Sequence, residues 1–297
     1  MSNRRSFLKN STLVAAATLF SKPITSLAHI SKTATTLQQS AKQVIIYHSS
    51  QLNGHLPDQQ MKHGGINNIK KLLNNQDTGG LILDAGNFLG NGRDNAQHHA
   101  VIVAMNAAGY HASTPSVQDL SQGEAYLAAL TNQMNFCLVN CNYRFKNPRL
   151  AAVVKPWQII NFGKFKIGVT GVGPEINGIG YQDPVKKASE IAKQLINELN
   201  CDLVICLSGL DYLQKNNVAD NTTLAQQSEL IDFIISANTH QKKTHTMVLK
   251  NATGHDVFIG HSQANGLNMG KMSFQFQEKQ KFYAENSQLI NSNEFVA

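Results

Sequence analysis

Charge is what this sequence has least of. Only 15% of its 297 residues are Asp, Glu, Lys or Arg, against roughly 25% in ordinary globular domains. Asn and Gln take much of their place. The formal charge of +7 suggests a polyanion partner, but residues 1–28 hold Arg4, Arg5, Lys9 and Lys22 and no acid. Beyond them 22 basic residues stand against 19 acidic ones, a balance of +3. No basic patch is interleaved with aromatics, so the composition argues against a nucleic-acid partner. Cysteine is scarce as well. Cys137 and Cys141 in "FCLVNC", and Cys201 and Cys206 in "CDLVIC", sit four and five residues apart in strand-like runs. At about 3.3 Å per residue even the closer pair lies about 13 Å apart, beyond the roughly 7 Å that a disulfide spans. Neither spacing is that of a zinc site. These read as four buried thiols on neighbouring strands, with a bridge from one strand to the other left open.

What the N-terminus does carry is an address. "NRRSFLKN" is followed by the modest apolar run "STLVAAATLF" and then "SKPITSLA". The run is too short to cross a bilayer, and the small residues Ser26 and Ala28 suit cleavage after Ala28. The pattern resembles a twin-arginine signal, which implies export of an already folded domain to the periplasm. Residues 29–40 read as a polar linker, and residues 41–297 as one domain with no membrane span after cleavage.

Apolar content of 42% supports a full core. Strand-like runs occur at Val44–Tyr47, Leu81–Asp84, Phe136–Val139, Ile167–Val172, Leu203–Leu207, Asp232–Ile235, Val257–His261 and Lys271–Phe276. Between several of them the period changes to that of a helix. Ile66, Ile69, Leu72 and Leu73 share one face. "HHAVIVAMNAAG" ends on a glycine suited to a C-cap. "DPVKKASEIAKQLINEL" opens with Asp183 as N-cap and Pro184 in the first turn. After Phe233 strands and loops dominate. The whole predicts an α/β domain with a strand-rich C-terminal part. "GPEINGIG" follows a strand with no evident helix behind it, so it reads as a loop and not a phosphate cradle.

Six segments, in order, resemble those of the 5′-nucleotidase family of calcineurin-like metallophosphoesterases. "HSSQLNGHL" is similar to H-T-N-D-L-H-G-H-L, and "GGINNIKKLL" to the Gly-Gly start of the first helix. "LILDAGNFLGN" is similar to L-L-L-D-A-G-D-x-x-x-G, and "MNAAGYHASTPSVQDLSQG" to M-N-x-x-G-Y-D-A-x-x-x-G-N-H-E-F-D-Y-G. "VICLSGL" is similar to V-I-x-L-S-H-x, and "IDFIISANTHQ" to I-D-x-I-I-x-G-H-T-H-T. The resemblance covers about residues 42–278. It implies a four-layer αββα sandwich of two mixed sheets.

In that family two divalent metals clamp a phosphate ester and activate a water. Carboxylates offset the metals' charge and histidines complete the shells. Here the matching positions are Gln51 for the first Asp, Asn53 for the first His, and Asn87 for the Asp after D-x-G. Val117 replaces the ligand Asn and Gln118 the histidine that supports the transition state. Gly209 replaces the His of L-S-H and Asn238 the first His of G-H-T-H; only His240 is retained. Asp84 survives, but as the structural Asp of its motif. A neutral amide binds a metal weakly, and Val117 and Gly209 offer no side-chain ligand at all. The resemblance therefore implies the fold without the metals: no catalytic residue and no cofactor, in an exported pseudoenzyme with a binding or scaffolding role.

Two alternatives stay open. An active phosphate-ester or nucleotide hydrolase would need a rebuilt site for a divalent metal such as manganese or zinc. It would draw on His48, His55, His63 or His240 with Asp58 or Asp119. A periplasmic binder would use the amides Gln51, Asn53, Asn87, Gln118 and Asn238 as a neutral pocket for a small polar ligand. Amides accumulated by drift, in a chain rich in them, account for the same residues. Family members carry a second, C-terminal domain, and its absence here implies a separate polypeptide as the expected partner.

Overall fold

The first strand sets the pattern for the molecule. β1 (Gln43–Ser49) is buried along nearly its whole length. Val44 and Ile46 enter one apolar cluster, while Ile45 and Tyr47 enter another. A strand whose two faces meet two cores reads as a continuous apolar run and not as an alternation. β9 (Leu203–Ser208) and β10 (Phe233–Ser236) behave alike. Leu203, Ile205, Phe233 and Ile235 join Val44 and Ile46, whereas Val204, Cys206 and Ile234 face a third cluster. Three apolar interfaces separate four layers. The molecule is thus an αββα sandwich, in this computed structural model of residues 43–56, 64–92, 94–214, 218–237, 246–277 and 280–291. The signal and linker assigned to residues 1–40 lie outside the described residues.

The remaining strands are β2 (Leu81–Asp84), β3 (Ala112–Ser113), β4 (Cys137–Leu138), β5 (Tyr143–Arg144), β6 (Trp157–Phe162), β7 (Phe165–Val172) and β8 (Gly180–Tyr181). They continue with β11 (Met247–Lys250), β12 (Asp256–His261), β13 (Asn268–Gln277) and β14 (Gln280–Asn291). Among the described residues one sheet runs β14-β13-β1-β2-β3-β4 and the other β11-β12-β10-β9-β7-β6, with β5 and β8 as a separate pair. Both large sheets are mixed. β1 to β4 are parallel in the first, and β7, β9, β10 and β12 in the second. Antiparallel strands occupy the flanks.

Helices cover both outer faces. α1 (Gly65–Asn74) buries Ile66, Ile69 and Leu72 against Ile45 and Tyr47. α2 (Asn95–Ala108) starts where the Asp94 carboxylate accepts from the backbone N–H of Ala96 and Gln97. It stops at Gly109, in the left-handed region that favours glycine. α3 (Glu124–Leu130) and α4 (Pro148–Val153) extend the same layer. On the far side, α5 (Pro184–Lys193) is capped by Asp183 and runs on into a π turn at Gln194–Glu198. α6 (Asn221–Gln227) packs beside it. Residues 173–180 form the turn into β8, where Gly173 and Gly180 lie against Tyr143 and Arg144.

The thiols depart from the expectation in one respect. Cys141, Cys201 and Cys206 are buried in the third cluster, but Cys137 is exposed, and no disulfide joins any of the four. Cys137 opens the short strand β4 at the edge of the first sheet, where its side chain reaches solvent. Among the described residues no helix is long and apolar enough to cross a membrane.

Candidate functional site

The parallel strands of both sheets end at the same side of the sandwich, where ligands of open α/β sheets bind. Past β1 the chain enters the turn of Gln51 and Asn53. Past β2 it enters the turn of Gly86 and Asn87. The two turns zip together: backbone N–H groups of Gln51, Asn53 and Gly54 donate to the carbonyls of Gly86, Asn87 and Phe88 at 2.9, 2.8 and 2.9 Å. Gln51, Asn53 and Asn87 all adopt positive φ, at 51°, 52° and 55°. For a residue with a Cβ this costs roughly 1–2 kcal/mol. Asn bears it best, because its short amide bonds locally. The three stand on the two hydrogen-bonded turns, with Asn265 at φ 58° beside them.

Two of the amides hold these turns through their side chains. The Asn87 Oδ1 accepts from the backbone N–H of Gln118 at 2.9 Å, and the Asn53 Nδ2 donates to Asn265 Oδ1 at 2.9 Å. Asn265, whose N–H donates to the Gln51 carbonyl at 2.8 Å, thereby ties in the loop after β12. Asn53 Oδ1 and Gln118 Oε1 remain buried with no hydrogen-bond partner.

The nearby carboxylates face inward. Asp119 lies one residue after Gln118 and is 1% exposed. Its two oxygens accept from the backbone N–H of Asn87, Leu89 and Ser116, at 2.8, 2.8 and 2.9 Å. Burial pushes its pKa up to about 7, against the opposing pull of those bonds. Asp84 is likewise sealed, accepting from Ser49 Oγ, Ser113 Oγ and the Gly86 N–H. Burial raises it to about 6. The sequence offered Asp119 as a ligand for a relocated metal; the structure spends both of its oxygens on bracing three backbone groups.

The second sheet reaches the same place. Gly209 follows β9, its N–H donating to the Val172 carbonyl at 2.9 Å, and it faces Ser116. Val117 projects outward, 46% exposed. Gln51, Asn53, Asn87, Val117, Gln118 and Gly209 therefore stand on adjoining loops. Asn238 and His240, with Asp58 and His63, lie outside the described residues.

Of the histidines offered for a rebuilt site, His48 and His55 are among the described residues. His48 points between the sheets, against Gly260 and Gly270, with its ring edge-on to Phe233 at 5.6 Å. A Cβ on Gly270, its register partner, would meet the ring at 2.1 Å. Burial pushes His48 down to about 3, so it stays neutral. His55 is half-buried in the β1 turn. Among the described residues no three His, Cys, Asp or Glu side chains gather where they could hold a metal ion. A dinuclear centre needs anionic ligands to offset four positive charges. The described donors are the neutral amides of Gln51, Asn53, Asn87 and Gln118, an aliphatic side chain and a glycine. They do not fit such a centre.

No protein-family model matches the sequence, and no curated protein matches it. Solved structures do match in fold. The 5′-nucleotidase precursor of Thermus thermophilus superposes with a TM-score of 0.72 at 18% identity, covering 84% of this chain and 54% of that one. The NAD nucleotidase of Haemophilus influenzae gives 0.69 at 18%, covering 82% and 49%. The calcineurin-like phosphoesterase YfkN of Bacillus subtilis gives 0.65 at 18%, covering 84% and 90%. The chain spans about half the length of the two nucleotidases. It has the fold of the 5′-nucleotidase and calcineurin-like phosphoesterases.

Proposed function

We propose that this chain is a non-catalytic form of the phosphoesterase fold, exported through a twin-arginine signal and acting in the periplasm by binding or scaffolding. One observation carries the reading: the loops that in the family pattern present metal ligands here present neutral amides, Val117 and Gly209. Among the described residues, the carboxylates beside these loops, Asp84 and Asp119, are turned inward onto backbone and hydroxyl donors. Without anionic ligands a pair of divalent cations has nothing to offset its charge.

The test is metal analysis of the purified protein after loading with manganese, zinc and calcium. It is joined to hydrolysis assays on p-nitrophenyl phosphate, its bis-ester and nucleoside monophosphates. The expected result is no stoichiometric metal and no turnover above a buffer control. Turnover abolished by a chelator and by His240→Ala would establish instead a hydrolase with a rebuilt site.

A second reading rests on the unpartnered acceptors Asn53 Oδ1 and Gln118 Oε1. A buried acceptor without a partner costs about 1–3 kcal/mol, and a neutral ligand rich in hydroxyl or amine donors would satisfy both. Thermal-shift screening with nucleosides and sugars tests it. A ligand at 100 times its Kd adds about 2.7 kcal/mol. A partner polypeptide supplying a second domain is the scaffolding form of the proposal; co-purification from the periplasm tests that form, and a lone monodisperse monomer would defeat it.

A further inference from the structure

Ser116, in the loop after β3, and Gly209, after β9, meet from opposite sheets. In the segments that resemble G-N-H-E and L-S-H, the small residue belongs at 116 and the large one at 209. Here the sizes are exchanged. A Cβ built on Gly209 would lie 2.6 Å from Ser116 Oγ and 3.2 Å from Ser116 Cβ. The first distance is one that real Cβ atoms do not show, and turning the hydroxyl away leaves the second.

Neither backbone is free to retreat. The Gly209 N–H is bonded to the Val172 carbonyl, and the next strand end is tied in by Ala237 N–H donating to the Ser208 carbonyl at 2.8 Å. Ser116 has its N–H on Asp119 and its carbonyl on the Leu120 N–H, and it is fully buried. On its other side a Cβ on Gly86 would come within 2.9 Å of Ser116 Cβ. Gly209 is not among the residues with positive φ. Its backbone conformation would accept a side chain, so what opposes one is space: with the hydroxyl turned away, the tight 3.2 Å approach to Ser116 Cβ remains.

We infer that Ser116 is a steric plug: it fills the room that a side chain at position 209 would need, and so bars a ligating side chain from the second sheet. The misfit between this chain and a metal pair is then more than missing ligands. Restoring a histidine at 209 fails unless Ser116 is cut back with it. The plug stands on packing; only its consequence for metals rests on the non-catalytic reading above.

The experiment is a double-mutant cycle on the mature chain, with Gly209→Ala, Ser116→Gly and the pair, followed by thermal unfolding. Overpacking of this kind costs about 1–3 kcal/mol, so Gly209→Ala should lower the melting temperature by about 3–10 °C. In the Ser116→Gly background it should lower it by less than a third of that. An equal loss in both backgrounds would overturn the plug. If Gly209→Ala does not fold, the double variant decides: recovery of a cooperative transition supports the plug, and failure of the double variant while Ser116→Gly folds refutes it.

A second arm restores Gln51→Asp, Asn53→His, Asn87→Asp and Gly209→His, with and without Ser116→Gly, and measures bound manganese after gel filtration. Retention should be at least tenfold higher with Ser116→Gly; equal retention counts against the plug. Stoichiometric metal in the unaltered chain would defeat the non-catalytic reading and leave the packing cycle standing, so the two failures are distinct.

Discussion

The side-chain oxygen of Asn87 accepts the backbone N–H of Gln118 at 2.9 Å while the Asn87 backbone, at φ 55°, donates to Asp119 at 2.8 Å. One residue thus joins the β2 turn to the β3 turn through both its side chain and its main chain. In the family pattern this position holds a metal-binding carboxylate. Here an amide of the same shape makes the crosslink without a charge.

The two contributions can be separated by substitution. Asn87→Gly removes the acceptor but suits the left-handed backbone. Asn87→Ala removes the acceptor and strains the backbone as well. Asn87→Gly should cost about 1–3 kcal/mol for the orphaned N–H, and Asn87→Ala about 1 kcal/mol more. Urea denaturation of the two variants checks this. Equal costs would mean that the conformation carries no strain.

Thiol accessibility gives a direct check on the layer arrangement. Cys137 is exposed on the outermost strand, and the other three thiols are buried. Burial raises Cys141 to about 11 and lifts Cys201 and Cys206 as well, so these three are poor nucleophiles. In native protein one equivalent of Ellman's reagent should react, and in denaturant four. Cys137→Ser should abolish the native reaction.

Much of the fold could be read from the residues, and the reasons are physical. The buried strands β1, β7, β9 and β10 are mostly apolar runs because each is covered on both faces. β6, with "WQIINF", escaped because it is a flanking strand that is only half-buried over most of its length. β3, β5 and β8 are two residues long and carry no period to detect. At the site, motif order named Gln51, Asn53, Asn87, Gln118 and Gly209 as candidates. What it could not supply was the direction of each polar group. That Asp119 braces backbone, that Asn265 crosslinks Asn53, and that Ser116 abuts Gly209 depend on contacts between residues far apart in the chain.

Export can be tested apart from structure. Replacing both Arg4 and Arg5 by Lys keeps the charge and removes the bidentate guanidinium groups, which are not interchangeable with ammonium. The variant should remain in the cytoplasm as an uncleaved precursor. The parent should be recovered from the periplasm beginning at His29, as read by mass spectrometry of the intact chain. A parent retained in the cytoplasm at full length would refute the signal.

The buried ionisable groups pull stability in opposite directions with pH. Asp119 has a folded pKa of about 7 against an ordinary 3.8. A raised pKa means that the folded state holds the proton more tightly, so this contribution is full below about pH 4 and is lost as pH rises to 7. His48 and His111 run the other way. Burial lowers them to about 3 and about 4, the Ile82 N–H donating to the His111 ring at 3.0 Å. Their contribution is present above pH 6.5 and is lost as pH falls through their folded values. Between pH 6.5 and 4 each group tilts stability by at most about 1.4 kcal/mol per pH unit, and the slopes oppose. Asp119→Asn removes one side of that balance. Its urea midpoint should therefore fall more steeply than the parent's between pH 6.5 and pH 5, whatever its loss at neutral pH. Parallel slopes for parent and variant would show that Asp119 is ionised throughout, held so by its three backbone donors.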